Sequence, residues 1–538
     1  MSSAMNEIEK QSSPPELANY SSDSNLSAAA REDGVSAAYE AKSHLVNEHL
    51  QNEIGFGRYQ LQLFILTGLG WAADNIWLQG VAIILPQIQS ELNPVRVEFT
   101  TLSLYVGLIL GATTWGILAD LIGRRLSFNI TLFIAGVFGV AAGGANSFVT
   151  LASLIACVGF GVGGNLPVDG MIITPFILLR CIALLTKMIG AIFLEFIPKS
   201  HQWLLTLLSA WWALGQLFAS LVAWPLIINF SCASADDCPK SSNMGWRYTL
   251  YVLGGVTLIM WICRYVIFDL QESPKYLLGK GQDLEAIKVL QHIASVNGRT
   301  ISLTVEDLQK ASGNQDAVSS PMTTAQLIKQ SFSSFSLSHV EPLFSTKRLA
   351  INTTITILLW GLIGLAYPLF NGFITLYLTT QVPSDSSIST TYRNYSIISV
   401  MGIPGSIIAC LVVDWSRKNR SAFAMGGRKV TMAVSTALTG VFLFLFTTRT
   451  LQMYGVLYAY TPEVFPAPHR GTGDALCSAF NRITGILAPV IKIVTTTAAG
   501  TAANGTANGP IFVSASLFLV AAILMLFLPI ETAGKAAL

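Results

Sequence analysis

The chain has 538 residues, of which 12% are charged and 52% apolar, and a formal net charge of +2. A water-soluble core of this length does not call for so few charges, and so small a net charge points to no nucleic-acid partner. The six histidines are scattered, and neither H-E-x-x-H nor G-x-S-x-G occurs, so no catalytic residue, metal or cofactor is expected.

Residues 1–57 are rich in Ser, Ala, Asn and Glu without an apolar stretch, and read as a disordered, solvated tail. No signal peptide opens the chain, so the first span is expected to direct insertion. Long apolar blocks follow, such as 61–85, interrupted by the single charge of Asp74, and 511–528, with none. About 20 such residues cross the ~30 Å hydrocarbon layer as a helix. The blocks recur with short polar breaks, which predicts an all-α polytopic membrane protein of about twelve transmembrane helices, with the lipid bilayer as its solvent. A barrel is excluded, because its strands would alternate in polarity at roughly ten-residue length.

Lys and Arg cluster in alternate loops: Arg124-Arg125, the stretch 275–299, the stretch 417–429, Arg470 and Lys535. The positive-inside rule makes these loops cytoplasmic and places both termini inside. The opposite loops hold three N-x-[ST] sequons, at Asn229, Asn394 and Asn504. Cys232 and Cys238 bracket a polar loop on that side and could form a disulfide if it faces an oxidising compartment. Cys157, Cys263, Cys410 and Cys477 sit in apolar blocks as small buried hydrophobes.

The largest inner segment, 269–347, separates two six-helix halves, 58–268 and 348–530, and 531–538 forms a short cytoplasmic end. Within that segment, 284–293 reads as an amphipathic helix and 311–338 as polar linker. A repeat supports the two halves: Glu195-Phe-Ile-Pro198-Lys-Ser-His201 and Glu463-Val-Phe-Pro466-Ala-Pro-His469 share the spacing E-x-x-P-x-x-H. Two halves and a central loop suggest a transporter.

The stretch Gly116-Ile-Leu-Ala-Asp120-Leu-Ile-Gly123-Arg124-Arg125 resembles the G-x-x-x-D-x-x-G-R-R signature of the major facilitator superfamily. Gln271-Glu272-Ser273-Pro274-Lys275 is similar to the P-E-S-P-R motif of sugar porters, Pro529-Ile-Glu531-Thr532-Ala-Gly534 to their terminal P-E-T-x-G, and Tyr460-Thr-Pro462-Glu463-Val-Phe-Pro466 to their tenth-helix ending. The fourth span lacks the usual Arg before its glycines, and the seventh lacks Gln-Gln-Leu-Ser-Gly, offering Tyr367-Pro368-Leu-Phe-Asn371 instead. The resemblance therefore lies with the sugar-porter-like branch that includes synaptic-vesicle-2-related proteins and fungal metabolite carriers. It implies a functional monomer that moves a small molecule, with symport expected from the family's habit of coupling to protons. It assigns a cytoplasmic gate to Gly116, Asp120, Gly123, Arg124, Arg125, Glu195, Glu272, Asp414, Arg428, Glu463 and Arg470. A plasma membrane is expected in preference to a vacuole.

A mid-bilayer charge costs roughly 2.5–3.5 kcal/mol on insertion scales, so each one asks for a reason. Asp74 and its neighbour Asn75 lie within the first span, where Asp74 is a candidate proton carrier or a structural hydrogen-bond partner. Asn165 and Asp169 stand four apart on one helical face, with Pro167 between them. Gln216 takes the place of the substrate-hydroxyl Gln of sugar porters, and Tyr367 and Asn371 share a face of the seventh span. Asn481 and Arg482 fall in the eleventh, where Arg482 could bind an anionic substrate or pair with Asp74 or Asp169. Arg264 is expected to snorkel to the inner surface.

The expected function is proton-coupled transport of an organic anion or a sugar or polyol. A transporter-like nutrient sensor is the rival reading, although such receptors have long C-terminal extensions and only about nine residues follow Pro529 here. A length argument adds a third. Arg125 and Glu195 are separated by 69 residues, but Lys429 and Glu463 by only 33, where two spans need about 45–50. The apolar segment 171–190 reads as a retained intron, and a piece is expected to be missing near Arg449. The alternatives are an inactive product of that kind, or a real re-entrant insertion with a real short helix.

Overall fold

The computed structural model describes residues 37–122, 124–164, 204–232, 238–266, 271, 274–279, 281–311, 341–381, 388–415, 428–446, 461, 470–499 and 509–530. These residues form helices and no strand. The first half comprises α1 (Ala37–His49), α2 (Arg58–Leu92), α3 (Phe99–Ile122), α4 (Arg124–Gly143), α5 (Phe148–Gly163), α6 (Leu204–Phe230) and α7 (Gly245–Val266). Three short helices follow, α8 (Pro274–Gly279), α9 (Asp283–Val296) and α10 (Val305–Ala311). The second half holds α11 (Lys347–Asn371), α12 (Ile374–Gln381), α13 (Ile388–Trp415), α14 (Arg428–Phe446), α15 (Arg470–Ala499) and α16 (Gly509–Leu526).

Among the described residues, five helices are long and apolar enough to cross a membrane: Leu207–Phe230, Gly245–Arg264, Lys347–Asn371, Leu476–Thr495 and Gly509–Leu526. Phe99–Trp115, Asn129–Gly143, Phe148–Gly163 and Lys429–Phe444 are shorter apolar helices. α2 is longer than any of these yet falls outside both groups. The reason is that Gln60, Thr67, Asp74, Asn75, Gln79 and Gln87 punctuate it, and all six are buried against protein. A span that carries polar groups inward loses average hydropathy without gaining contact with lipid.

The packing repeats between the halves. In the first, α2 packs on α6 and α4 on α7; in the second, α11 packs on α15 and α14 on α16. The two halves meet where α13 lies on α6, α15 on α3, and α12 on α2. α3 and α5 approach most closely, because Gly107 and Gly111 face Gly159 and Gly163. A Cβ on any of the four would strike the opposite backbone, at Ala156, Phe160, Leu104 and Leu108 respectively. Such small-residue stripes let backbones touch where no hydrophobic effect drives helices together. The glycine run of the fourth span is thereby explained as packing.

One correction concerns residues 37–57, read from the sequence as part of a disordered tail. From Ala37 the chain is helical, and Val46, Leu50 and Ile54 are buried among Leu277, Ile287, Leu290, Ile293 and Leu308 of the central helices. These spacings of four put three apolar side chains on one face of an otherwise polar helix, enough to dock it. The predicted helix 284–293 is α9, whereas the linker 312–338 lies outside the described residues. α1 and α8–α10 make a cap on one end of the bundle. At the opposite end, between α6 and α7, Cys232 and Cys238 are joined by a disulfide with Cα atoms 5.6 Å apart.

Candidate functional site

α2 contains 35 residues, about 52 Å of helix, so it outruns the ~30 Å apolar layer. Its sequence divides into three registers. Tyr59, Leu63, Phe64, Leu66 and Trp71 pack into the cap, while Val81, Ile83, Ile84, Leu85 and Ile88 join the main core near the disulfide end. Between them lie Asp74, Asn75 and Gln79, all buried.

This middle register is the hub of a polar cluster drawn from both halves. Asn75 Nδ2 donates to the Trp212 carbonyl of α6 at 2.7 Å, and Gln79 Nε2 donates to Asn75 Oδ1 at 3.2 Å. Gln79 Nε2 also reaches the Tyr367 hydroxyl of α11 at 3.2 Å, and Trp212 Nε1 donates to the same oxygen at 3.3 Å. Tyr395 of α13 donates its hydroxyl proton to Gln79 Oε1 at 2.6 Å and faces Gln216 of α6. Each such bond contributes only about 0.6 kcal/mol on average in a membrane interior. Their number and orientation instead fix where a polar solute would find partners.

α11 brings Tyr367 and Asn371 to the cluster because Pro368 and Gly372 end it there; Gly372 N–H donates to the Pro368 carbonyl at 2.9 Å before α12 begins. Asn371 is 1% exposed and its amide lies beside the Tyr367 hydroxyl, so the two side chains together present hydrogen-bonding groups to the cluster. Tyr105 of α3 stands within electrostatic range of both Tyr367 and Arg482. Arg482 is 8% exposed and donates Nη1 to the Leu108 carbonyl at 2.9 Å, so it faces the seam between α3 and α15.

Asp74 is 1% exposed and coupled electrostatically to Arg264 of α7. Arg264 itself is 2% exposed, which corrects the expectation that it snorkels. Its guanidinium lies inside the bundle within electrostatic range of the Asp74 carboxylate. Asn481 is only half-buried, and packs its backbone and side chain against Gly364 of α11.

Of the residues that the resemblance assigns to a gate, Gly116 and Asp120 fall in the last turns of α3, Arg124 and Arg125 open α4, Asp414 falls in the last turn of α13, and Arg428 and Arg470 open α14 and α15. Their side chains lie outside the described residues, as do Gly123, Asn165, Asp169, Glu195, Glu272 and Glu463 entirely. The segments 171–190 and 447–460 do so as well. Asn394 lies within α13, half-buried, where a sequon cannot act as it would in an exposed loop.

Sequence reasoning missed Gln79, Tyr105, Trp212 and Tyr395. Gln79 stands one helical turn from Asn75 and was legible by that spacing. It also missed the ion pair at the disulfide end, although it had singled out Cys232 and Cys238 as a possible bridge. There Glu91 and Arg247, 5% and 1% exposed as side chains, pair at 2.7 Å. Trp246 Nε1 donates to the same carboxylate at 2.8 Å, and Arg247 Nη2 to the Ala145 carbonyl at 3.1 Å.

Residues 63–456 match the Major Facilitator Superfamily. The chain is 44% identical over 522 residues to "MFS siderochrome iron transporter 1" of Ceriporiopsis subvermispora, spanning 93% of this chain and 92% of the relative. It is 37% identical over 529 residues to "Major facilitator-type transporter hxnZ" of Emericella nidulans, spanning 93% and 89%. A solved structure of the proton:xylose symporter XylE, bound to 6-bromo-6-deoxy-D-glucose, superposes with a TM-score of 0.60 at 16% identity, over 89% of this chain and 98% of that one. At that identity the likeness is one of fold.

Proposed function

The chain belongs to the major facilitator superfamily and is an integral, multi-pass membrane protein, and on that premise we propose that it carries a small organic anion across the bilayer, driven by protons. The observation that carries the reading is Arg482. It is a buried cation set beside Tyr105, at the edge of a cluster otherwise made of neutral hydrogen-bonding groups, Asn75, Gln79, Gln216, Tyr367, Asn371 and Tyr395. A carboxylate held by Arg482 with a hydroxyl or amide reaching the tyrosines and Asn371 would satisfy both kinds of partner. Asp74 supplies the coupling: on taking a proton it loses its attraction for Arg264, and the two helices that carry them, α2 and α7, are in contact.

The disulfide supports an orientation with that end on the oxidising side, so the cap end and both termini face the cytoplasm. A second reading has one observation in its favour, the name of the 44% identical relative. A ferric siderochrome would be the cargo, met by the amide and phenol groups rather than by Arg482.

Purified protein in liposomes with a trapped pH dye separates these. Labelled monocarboxylates and dicarboxylates, a hexose, a polyol and a ferric hydroxamate are offered in turn, with the outside acidic. Anion uptake with internal acidification supports the proposal, and uptake of the chelate or polyol alone overturns it. Asp74→Asn should abolish accumulation against a gradient while leaving exchange across the membrane. Undiminished accumulation would remove Asp74 from the coupling step.

A further inference from the structure

The cap is tied to the bundle at an exposed point. Between α9 and α10, residues 299–304 form an irregular, extended loop, with Arg299, Thr300 and Ser302 exposed. Ser302 grips the turn that joins α1 to α2. Its hydroxyl donates to Glu53 Oε1 at 2.5 Å and its backbone N–H to Glu53 Oε2 at 2.6 Å. Arg299 Nη1 donates to the Glu53 carbonyl at 3.3 Å. It lies over Gly55, whose φ of +58° suits glycine and whose missing Cβ would stand 2.7 Å from that nitrogen. Glu53, Arg299, Thr300, Ile301 and Ser302 line one open recess.

We propose that Ser302 is a phosphorylation site, read by a serine/threonine kinase that selects arginine three residues before its acceptor, and that its modification unlatches the turn 50–57. The sequence Arg299-Thr-Ile-Ser302 supplies the arginine at that spacing, in a loop with no helix to unwind. The γ-phosphoryl group of ATP passes to Ser302 Oγ, the kinase takes the hydroxyl proton, and ADP leaves. The donor hydrogen that held Glu53 is gone, and roughly two negative charges are added on the oxygen that stood 2.5 Å from the Glu53 carboxylate. Hydrogen bonds from the Ser302 hydroxyl and N–H hold the Glu53 carboxyl below its ordinary range, so it is ionised and repels the phosphate. Arg299 can turn from the Glu53 carbonyl to the phosphate. α1 keeps its own anchors, the Lys42–Asp283 pair at 2.8 Å and the buried Val46, and so swings about a loosened joint.

The proposal rests on the cytoplasmic placement of the cap, but its test does not use transport. Full-length protein in lipid nanodiscs is treated with the catalytic subunit of cyclic-AMP-dependent protein kinase and Mg-ATP, then followed by mass spectrometry and amide hydrogen exchange. Ser302 should be modified, and exchange across 50–57 should rise roughly tenfold, the loss of one charge-assisted pair of bonds. Ser302→Ala should take no phosphate in this loop, and Glu53→Gln should blunt the response to phosphate by removing the repulsion. Failure to modify Ser302, or stoichiometric modification with exchange at 50–57 unchanged, would overturn the proposal.

Discussion

The two ends of α2 are fixed by opposite chemistry. At the disulfide end the helix finishes in a dry seal, where Thr375 donates to the Ala82 carbonyl at 2.5 Å, Tyr392 to the Ile83 carbonyl at 3.1 Å, and Glu91 meets Arg247. At the cap end it starts among groups that touch solvent. Asn297 Oδ1 accepts from Tyr59 N–H at 2.9 Å, and the Glu53 latch lies just before it. Removing one partner of a desolvated ion pair strands a charge, whereas water can replace a lost partner at a hydrated latch. The disulfide end is therefore expected to hold its shape, and the cap end to be the one that yields to modification or acid.

Arg247→Ala should break this contrast most severely. It leaves the buried Glu91 carboxylate with only neutral donors such as Trp246 Nε1 and no opposite charge, and should cost about 3–5 kcal/mol. Thermal unfolding in detergent measures it, and replacing both partners with apolar residues should cost less than the single change. Leu290→Ala comes next, since Leu290 is fully buried in the cap. The expected loss is about 2–5 kcal/mol, but local. Hydrogen exchange should rise in α1 and α9 while the spans of the bundle stay protected, and a global fall would contradict the separation of the two regions. Lys42→Ala should weaken the cap by about 1–3 kcal/mol, because the Asp283 side chain is 13% exposed and loses a charged partner.

Acidification should give the smallest effect and appear only at the cap end. The Glu53 carboxyl sits below its ordinary value of 4.5 because the Ser302 hydroxyl and N–H bind its charged form. Its contribution to docking is complete above that value and is lost as pH falls through the lowered one. His49 Nε2 stands 3.7 Å from Glu53, and Arg299 donates to the Glu53 carbonyl from the same recess. Exchange across 50–57, corrected for intrinsic rates, should thus rise only at the acid extreme, with 81–88 unchanged.

Much of this was legible. Long apolar blocks marked the spans, and the spacing of Tyr367 and Asn371 put both on one face of the helix at whose end they lie. Arg482 was singled out because a charge in an apolar block needs a partner, Gln216 through the resemblance to sugar porters, and Asn75 as the neighbour of Asp74; each is buried. α1 was hidden for the converse reason: Val46, Leu50 and Ile54 are too few to lift the average of a polar stretch, although their spacing marks a face. Tyr395 and Trp212 were hidden because aromatic residues are ordinary in spans, and only the approach of α13 to α6 gives them a polar duty. Glu91 and Arg247 are 156 residues apart, and nothing local joins them.

The account stands on the buried cation of the central cluster. Liposomes carrying either the native protein or Arg482→Gln should be loaded with pH dye, placed in an acidic medium and offered a labelled carboxylate beside a neutral polyol. The native protein should take up the carboxylate and acidify the interior, and the variant should lose at least about tenfold of that flux, the effect of one charge-assisted contact. Equal carboxylate uptake by both proteins, or polyol uptake that no anion competes with, would contradict the account.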